Sequence, residues 1–140
     1  MPKPPVPGEI SDMLANPNPA IIATVRPDGQ PVSVATWYRW DNGRILVNMD
    51  HGRKRLDYLR ENPRVSLTVL AGADWHSHVS VQGHIAELTD DTDLADLDRI
   101  AQHYIGRAYP KRDRKRVSAL IDIDRWHGWG KFENTDVDHG

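Results

Sequence analysis

The sequence predicts an α+β domain, mainly β, in which about six antiparallel strands form a barrel or strongly curled sheet with helices inserted between them. Three observations carry that expectation. Segments that alternate apolar and polar residues recur along the chain with the period of two that a half-buried strand requires. Several of the connections are short and carry turn chemistry, which favours antiparallel hairpins. Helical-period segments fall between the strands, and no GxGxxG is present, so a doubly wound parallel sheet with a dinucleotide site is disfavoured.

In chain order, a short helix is expected from Glu9 to Ala15, ended by Asn16-Pro17-Asn18-Pro19 because proline neither continues a helix nor tolerates one just before it. AIIATVR (20–26) is apolar and β-branched, and Pro27-Asp28-Gly29-Gln30 turns it into PVSVATWYRW (31–40). Asp41-Asn42-Gly43 then leads to RILVNMD (44–50), which completes an expected three-strand meander. GRKRLDYLREN (52–62) places Leu56 and Leu59 at helical spacing and stops before Pro63. RVSLTVLA (64–71) and HVSVQGHIAEL (78–88) are the fourth and fifth strands, with Gly83 marking a bulge or a close backbone approach. Leu94, Leu97, Ile100, Ala101, Tyr104 and Ile105 follow the helical period across 91–105, behind a carboxylate-rich first turn that suits the helix dipole. VSALIDIDRW (117–126) is the sixth strand.

A chain of 140 residues fits a single domain over 1–140, with 1–8 and 131–140 polar or proline-rich enough to be loosely ordered. The net charge of −2 gives no global positive field to draw in nucleic acid or an anionic membrane, so any anion site must be local. No cysteine is present, which excludes disulfides, thiolate chemistry and cysteine-based metal ligation. Neither a signal-peptide run nor a segment of about 18 apolar residues appears, and the expectation is a soluble, cytoplasmic protein.

Arg53, Lys54 and Arg55 stand where an apolar strand meets a helix. As a solvated face they would be stabilised by an i,i+4 pair between Arg53 and Asp57. Yet cations at a helix start oppose the macrodipole unless an anion sits with them. Free backbone N–H groups, Gly52 and guanidinium forks together suit a phosphate. KRDRKR (111–116) reads as a solvated connection. Among five tryptophans, Trp37 and Trp126 read as core, whereas Trp75 lies in GADWHSH, a loop by composition that places its ring over a ligand or a partner subunit. His76, His78 and His84 lack the spacing of a metal site, and no nucleophile elbow or triad is visible.

IIATVRPDGQPVSVATWY, ILVNMDHGRKRLDYLRENPRVSL and the closing IDIDRWHGW resemble the pyridoxamine 5′-phosphate oxidase-like flavin and deazaflavin proteins, the FMN-binding split β-barrel type. Within that superfamily the likeness is greatest to actinobacterial coenzyme F420-dependent reductases, and it extends over residues 10 to 130. The resemblance implies a homodimer with the cofactor at its interface and the phosphate held by Arg53 and Arg55 beside Lys54. It implies a ring lying along Val34, Ala35, Thr36, Asn48 and Met49, with Trp75 or His76 reaching the same site. The implied activity is hydride transfer from F420 to a conjugated small-molecule acceptor. FMN chemistry of the pyridoxamine-phosphate-oxidase type and a non-catalytic flavin- or haem-binding role are the alternatives. For the polyglutamyl tail of the deazaflavin, Lys111, Arg112 and Arg114 offer charge. A cofactor that carries the hydride itself also fits the lack of a triad.

Overall fold

Between Thr36 and Arg39 the chain leaves one edge of the sheet and joins the other, and this step organises the fold. In the computed structural model, which describes residues 1–135, the segment expected as one strand over 31–40 is two, β2 (Pro31–Thr36) and β3 (Arg39–Asp41). β2 pairs with β1 (Ala20–Val25), setting Ile22 opposite Val34. β3 pairs with β4 (Arg44–Asp50) through a tight turn in which Asn42 and Gly43 both adopt positive φ, 54° and 93°. The sheet therefore has seven antiparallel strands in the order β2-β1-β5-β6-β7-β4-β3, and the three-strand meander is not formed. Two consecutive aromatics explain the break. Tyr38 is fully buried and donates its hydroxyl to the Leu14 carbonyl at 2.7 Å, while Trp37 turns to a half-buried position elsewhere. A single continuous strand cannot give both rings those environments.

The centre of the sheet is built from β5 (Arg64–Ala71), β6 (Asp74–Asp90) and β7 (Arg116–Trp129). β6 starts at Asp74, earlier than expected, so Trp75 lies on a strand and not in a loop. Its register against β7 shifts between Gln82 and Gly83. A Cβ on Gly83 would collide with the Asp122 carbonyl oxygen, the close approach its sequence position predicts. Ile22, Ile45, Leu67, Val79 and Ile121 fill the interior from five different strands.

Helices close the barrel's sides. α1 (Gly8–Leu14) buries Ile10, Met13 and Leu14. α2 (Lys54–Glu61) buries Leu56 and Leu59. α3 (Ala95–Ile105) begins four residues later than the carboxylate-rich stretch predicts, because Asp91 is spent as a cap. Its buried carboxylate accepts from the N–H groups of Asp96 (3.2 Å) and Leu97 (2.9 Å). At the N-terminus, Val6 packs against the core and the Trp126 N–H donates to the Pro2 carbonyl. A 3-10 turn over Gly130–Thr135 follows β7 and buries Phe132; residues 136–140, expected to be loosely ordered, lie outside the described residues. Among the described residues no helix is long and apolar enough to cross a membrane.

Candidate functional site

The site lies between two strand margins that lack a neighbour among the described residues. β2 pairs on one side only, with β1. β4 is paired along its whole length with β7, but β3 covers only Arg44–Leu46 on the other side, leaving Val47–Asp50 free there. A cavity of about 620 Å³ fills this split. Val34, Ala35 and Thr36 line it from β2 and Asn48 and Met49 from β4, with α3 adding Leu97, Ile100 and Tyr104. Trp37 is stacked on Tyr104 with ring centroids 5.1 Å apart and planes within 7°, and Tyr109 meets Trp37 edge-on at 6.1 Å. Flat aromatic faces beside unpaired strand edges suit a planar heteroaromatic ligand, which needs stacking on its faces and hydrogen bonds at its rim. The Tyr104 hydroxyl donates to the Asn18 carbonyl at 2.6 Å, and burial pushes its pKa up to about 12 despite the Tyr38 N–H that donates to it. This phenol is therefore neutral at physiological pH.

Three arginines meet at one end of the cavity. Arg53 is the N-cap of α2, Arg55 lies in the first turn and Arg116 opens β7. The solvated-face pairing of Arg53 with Asp57 does not form, since Asp57 pairs with Arg60 at 3.6 Å instead. Among the described residues no carboxylate neutralises any of the three. Arg55 Nε is buried with no hydrogen-bond partner, and burial lowers the guanidinium pKa, followed by the charges of Arg53 and Arg116. Arginine stays protonated regardless, so the shift expresses a positive field without a counter-charge.

A network aims Arg116. Its Nε–H donates to Asn48 Oδ1 at 2.8 Å, and its guanidinium lies 5.4 Å from the centre of the Tyr109 ring. Asn48 Nδ2 donates to Asp91 Oδ2 and to Ser118 Oγ, both at 3.1 Å, and Ser118 in turn donates to Asp96 Oδ2 at 2.7 Å. Asn48 thus lines the cavity, but its amide is engaged in holding Arg116 and the cap of α3.

A second cavity of about 590 Å³ continues past the arginines. It shares Asp50, Arg53, Tyr109 and Arg116 with the first and adds Gly52, Lys111, Asp113 and Arg114. Arg114 also lies 3.5 Å from Asp50. Arg112 is not available there: it forms a two-pronged pair with Asp98 at 2.7 and 3.0 Å. Residues 111–115 are exposed, as expected of a solvated connection, whereas Arg116 is half-buried and opens β7.

Of the sequence-predicted site residues, Val34, Ala35, Thr36, Asn48, Met49, Arg53 and Arg55 line one cavity, and Lys54 lines a small recess on the far side of Arg55. Trp75 and His76 are exposed at the start of β6 and line neither the cavity nor the recess. Sequence reasoning missed Trp37, Tyr104, Tyr109 and Arg116. Trp37 is wall and not core, a role that the break after Thr36 creates. Arg116 was hidden in a basic run whose members have separate fates.

The pyridoxamine 5′-phosphate oxidase family model matches residues 6–130. The chain belongs to this family. The family includes flavin- and deazaflavin-type oxidoreductases and also non-catalytic binding proteins. An F420 reductase superimposes with a TM-score of 0.79 at 24% identity, covering 86% of this chain and 98% of that one. The conserved hypothetical protein Rv2991 from Mycobacterium tuberculosis gives 0.72 at 25% identity, covering 99% and 92%. A FAD and heme binding protein from Mycobacterium smegmatis gives 0.63 at 19% identity, covering 84% and 67%. No curated protein matches the chain. The residues present fit a phosphorylated flavin-type group: the aromatic wall and open strand margins suit its ring, and the orphaned Arg55 Nε, with two further cations that no carboxylate neutralises among the described residues, suits its phosphate.

Proposed function

We propose that the protein is a coenzyme F420-dependent oxidoreductase that transfers hydride to a conjugated small-molecule acceptor. The observation that carries this reading is the unneutralised trio Arg53, Arg55 and Arg116 at the end of an aromatic-walled cavity. When bound, the reduced cofactor supplies the hydride. The chain's own residues bind, orient and exclude water. Arg53, Arg55 and Arg116 hold the phosphate, Trp37 and Tyr104 present a flat face, and the neutral Tyr104 phenol brings no charge to the ring.

FMN is the second reading, since it would use the same cations. What favours the deazaflavin is the continuation of the first cavity into the second, where Lys111 and Arg114 lie beyond the arginines on the path of a longer anionic tail. A homodimer is part of the proposal. Val34 at the cavity rim, 44% exposed, and Trp75, 70% exposed, are large apolar groups suited to cover by a second copy.

Side-by-side titration with FMN and with F420, followed by fluorescence, tests the assignment. Tighter binding of F420 and turnover of an activated alkene with the reduced coenzyme are the expected results. Tighter FMN binding moves the assignment to the second reading. Tight binding without turnover of either reduced cofactor makes the protein a carrier, and no binding of either overturns the proposal. Sedimentation at micromolar concentration is expected to give a dimer.

A further inference from the structure

The end of the main cavity opposite the arginines has a different chemistry. Arg53 and Arg55 lie with Val32, and Thr36 is further along β2 by about 13 Å at the rise of a strand, paired with Ala20. There Pro17, Pro19, Ala20 and Ile21 form one wall and Trp37 and Tyr104 another. Among the described residues no charged side chain lines this end, since Asp50, Arg53, Arg55 and Arg116 belong to the other. Its polar groups are also largely engaged. Proline has no N–H. The Asn18 carbonyl accepts from the Tyr104 hydroxyl at 2.6 Å, and the Pro19 carbonyl accepts from the Leu70 N–H at 2.9 Å. Asn18 itself is buried, with its amide donating to the Met13 carbonyl at 2.7 Å, which fixes the lip between α1 and β1. The Thr36 hydroxyl donates to the Trp37 carbonyl at 2.9 Å. What remains is the half-buried Trp37 indole, whose N–H makes no hydrogen bond with any described residue.

We propose that this end is the acceptor subsite and that it selects uncharged, apolar, planar conjugated carbonyl compounds, quinones among them, over acceptors that bear an anionic group. The inference rests on the oxidoreductase reading given above and adds the class of its substrate. Two prolines, an isoleucine and a stacked aromatic pair supply flat apolar surface. A ketone or quinone oxygen needs a donor and no counter-charge, and an indole N–H is a donor only. A carboxylate or sulfonate placed here would give up its hydration with no cation to replace it. An ammonium or hydroxyl group would find the Asn18 and Pro19 carbonyls already occupied.

The test measures equilibrium binding, without turnover, to the full chain carrying whichever of oxidised F420 or FMN it takes up. The probes are menadione, a naphthoquinone sulfonate and methylnaphthalene. Menadione is expected to bind the wild type on the order of tenfold tighter than the sulfonate, the scale of burying a polar group without a partner. Ile21→Lys brings a cation to this end and is expected to narrow or reverse that ratio. Trp37→Phe keeps an aromatic face and removes the N–H. It is expected to weaken menadione roughly fivefold, the scale of one hydrogen bond, and to leave methylnaphthalene, which has no carbonyl, unchanged. Equal or tighter binding of the sulfonate by the wild type overturns the inference, as does displacement of the bound cofactor by menadione; both leave the cofactor assignment standing. An unchanged ratio in an Ile21→Lys variant that melts near the wild-type temperature places the acceptor elsewhere and also overturns it. If neither cofactor binds but the free protein discriminates menadione from the sulfonate as described, the subsite stands and the oxidoreductase assignment falls.

Discussion

Two sets of arginines on this barrel are alike in sequence and opposite in surroundings. Arg44 faces Asp122 at 2.7 Å, Arg99 lies 3.3 Å from Asp96, and Arg112 grips Asp98 with both prongs. Among the described residues no carboxylate pairs with Arg53, Arg55 or Arg116, and the last two are held inward by burial and by Asn48. Both sets carry the same charge, but only the second leaves it uncompensated. Pairing, and not clustering along the chain, separates a structural cation from one available to a ligand. KRDRKR contains both kinds: Arg112 belongs to the first set and Arg116 to the second.

The sharpest way to break the comparison is Arg55→Met. Methionine keeps most of the length and apolar stem while removing a charge that burial and two like charges already oppose. Phosphate-bearing cofactor affinity is expected to fall by about 2–3 kcal/mol, the range for hydrogen bonds to charged groups. The melting temperature of the unliganded protein is expected to hold or rise. The paired set behaves differently, because removing Arg44 or Arg112 strands a carboxylate and so lowers stability. A large loss of stability in Arg55→Met, with cofactor affinity intact, would place Arg55 in the structural set.

A smaller effect is expected at Asn48. Asn48→Leu frees Arg116 from its only side-chain hydrogen bond among the described residues and leaves Ser118 and Asp91 to rearrange. If Asn48 acts by aiming Arg116, its substitution and Arg116→Met are not additive in cofactor affinity. A coupling of about 1 kcal/mol is expected from a double-mutant cycle, within the range for residues sharing a hydrogen-bond network. Additive losses would instead give Asn48 a separate contact with the ligand.

Much of this architecture is written in local patterns. Alternation marked the strands, and Gly83 announced the backbone crowding at Asp122. The cationic cluster at the start of α2 drew attention because it opposes a helix dipole. What local patterns do not carry is pairing at a distance. The break at Trp37-Tyr38 depends on Leu14 and Asn18 receiving Tyr38, and on Tyr104 receiving Trp37, contacts separated by up to 67 positions. The cap that delays α3 comes from Asp91, outside the helix it serves. Thr24 reads as an ordinary β-branched strand residue, and only the placement of α2 over β1 isolates its hydroxyl. Arg116 and Arg112 are indistinguishable until Asp98 and Asn48 are seen to take one each.

The smallest effect is expected in the paired set, and its pH dependence distinguishes it from the site. Hydrogen bonding from Arg112, with a further contribution from the Tyr109 N–H, holds the Asp98 carboxyl below the ordinary carboxylate range. A depressed folded-state pKa stabilises the protein above the unfolded value of about 3.9, and that stabilisation disappears as pH falls through the lower folded value. Both partners are partly exposed, so solvent screening limits the gain. Asp98→Asn is therefore expected to lower the melting temperature by no more than a few degrees at neutral pH. The difference shrinks with added salt and closes in strong acid, where the wild-type carboxyl is also neutral. Asparagine retains a carbonyl oxygen for the Tyr109 N–H, so the cavity wall is preserved and cofactor affinity is expected to stay near that of the wild type. A variant that keeps its stability but loses cofactor would transfer Asp98 from the scaffold to the site, and with it the division between the two arginine sets would fail.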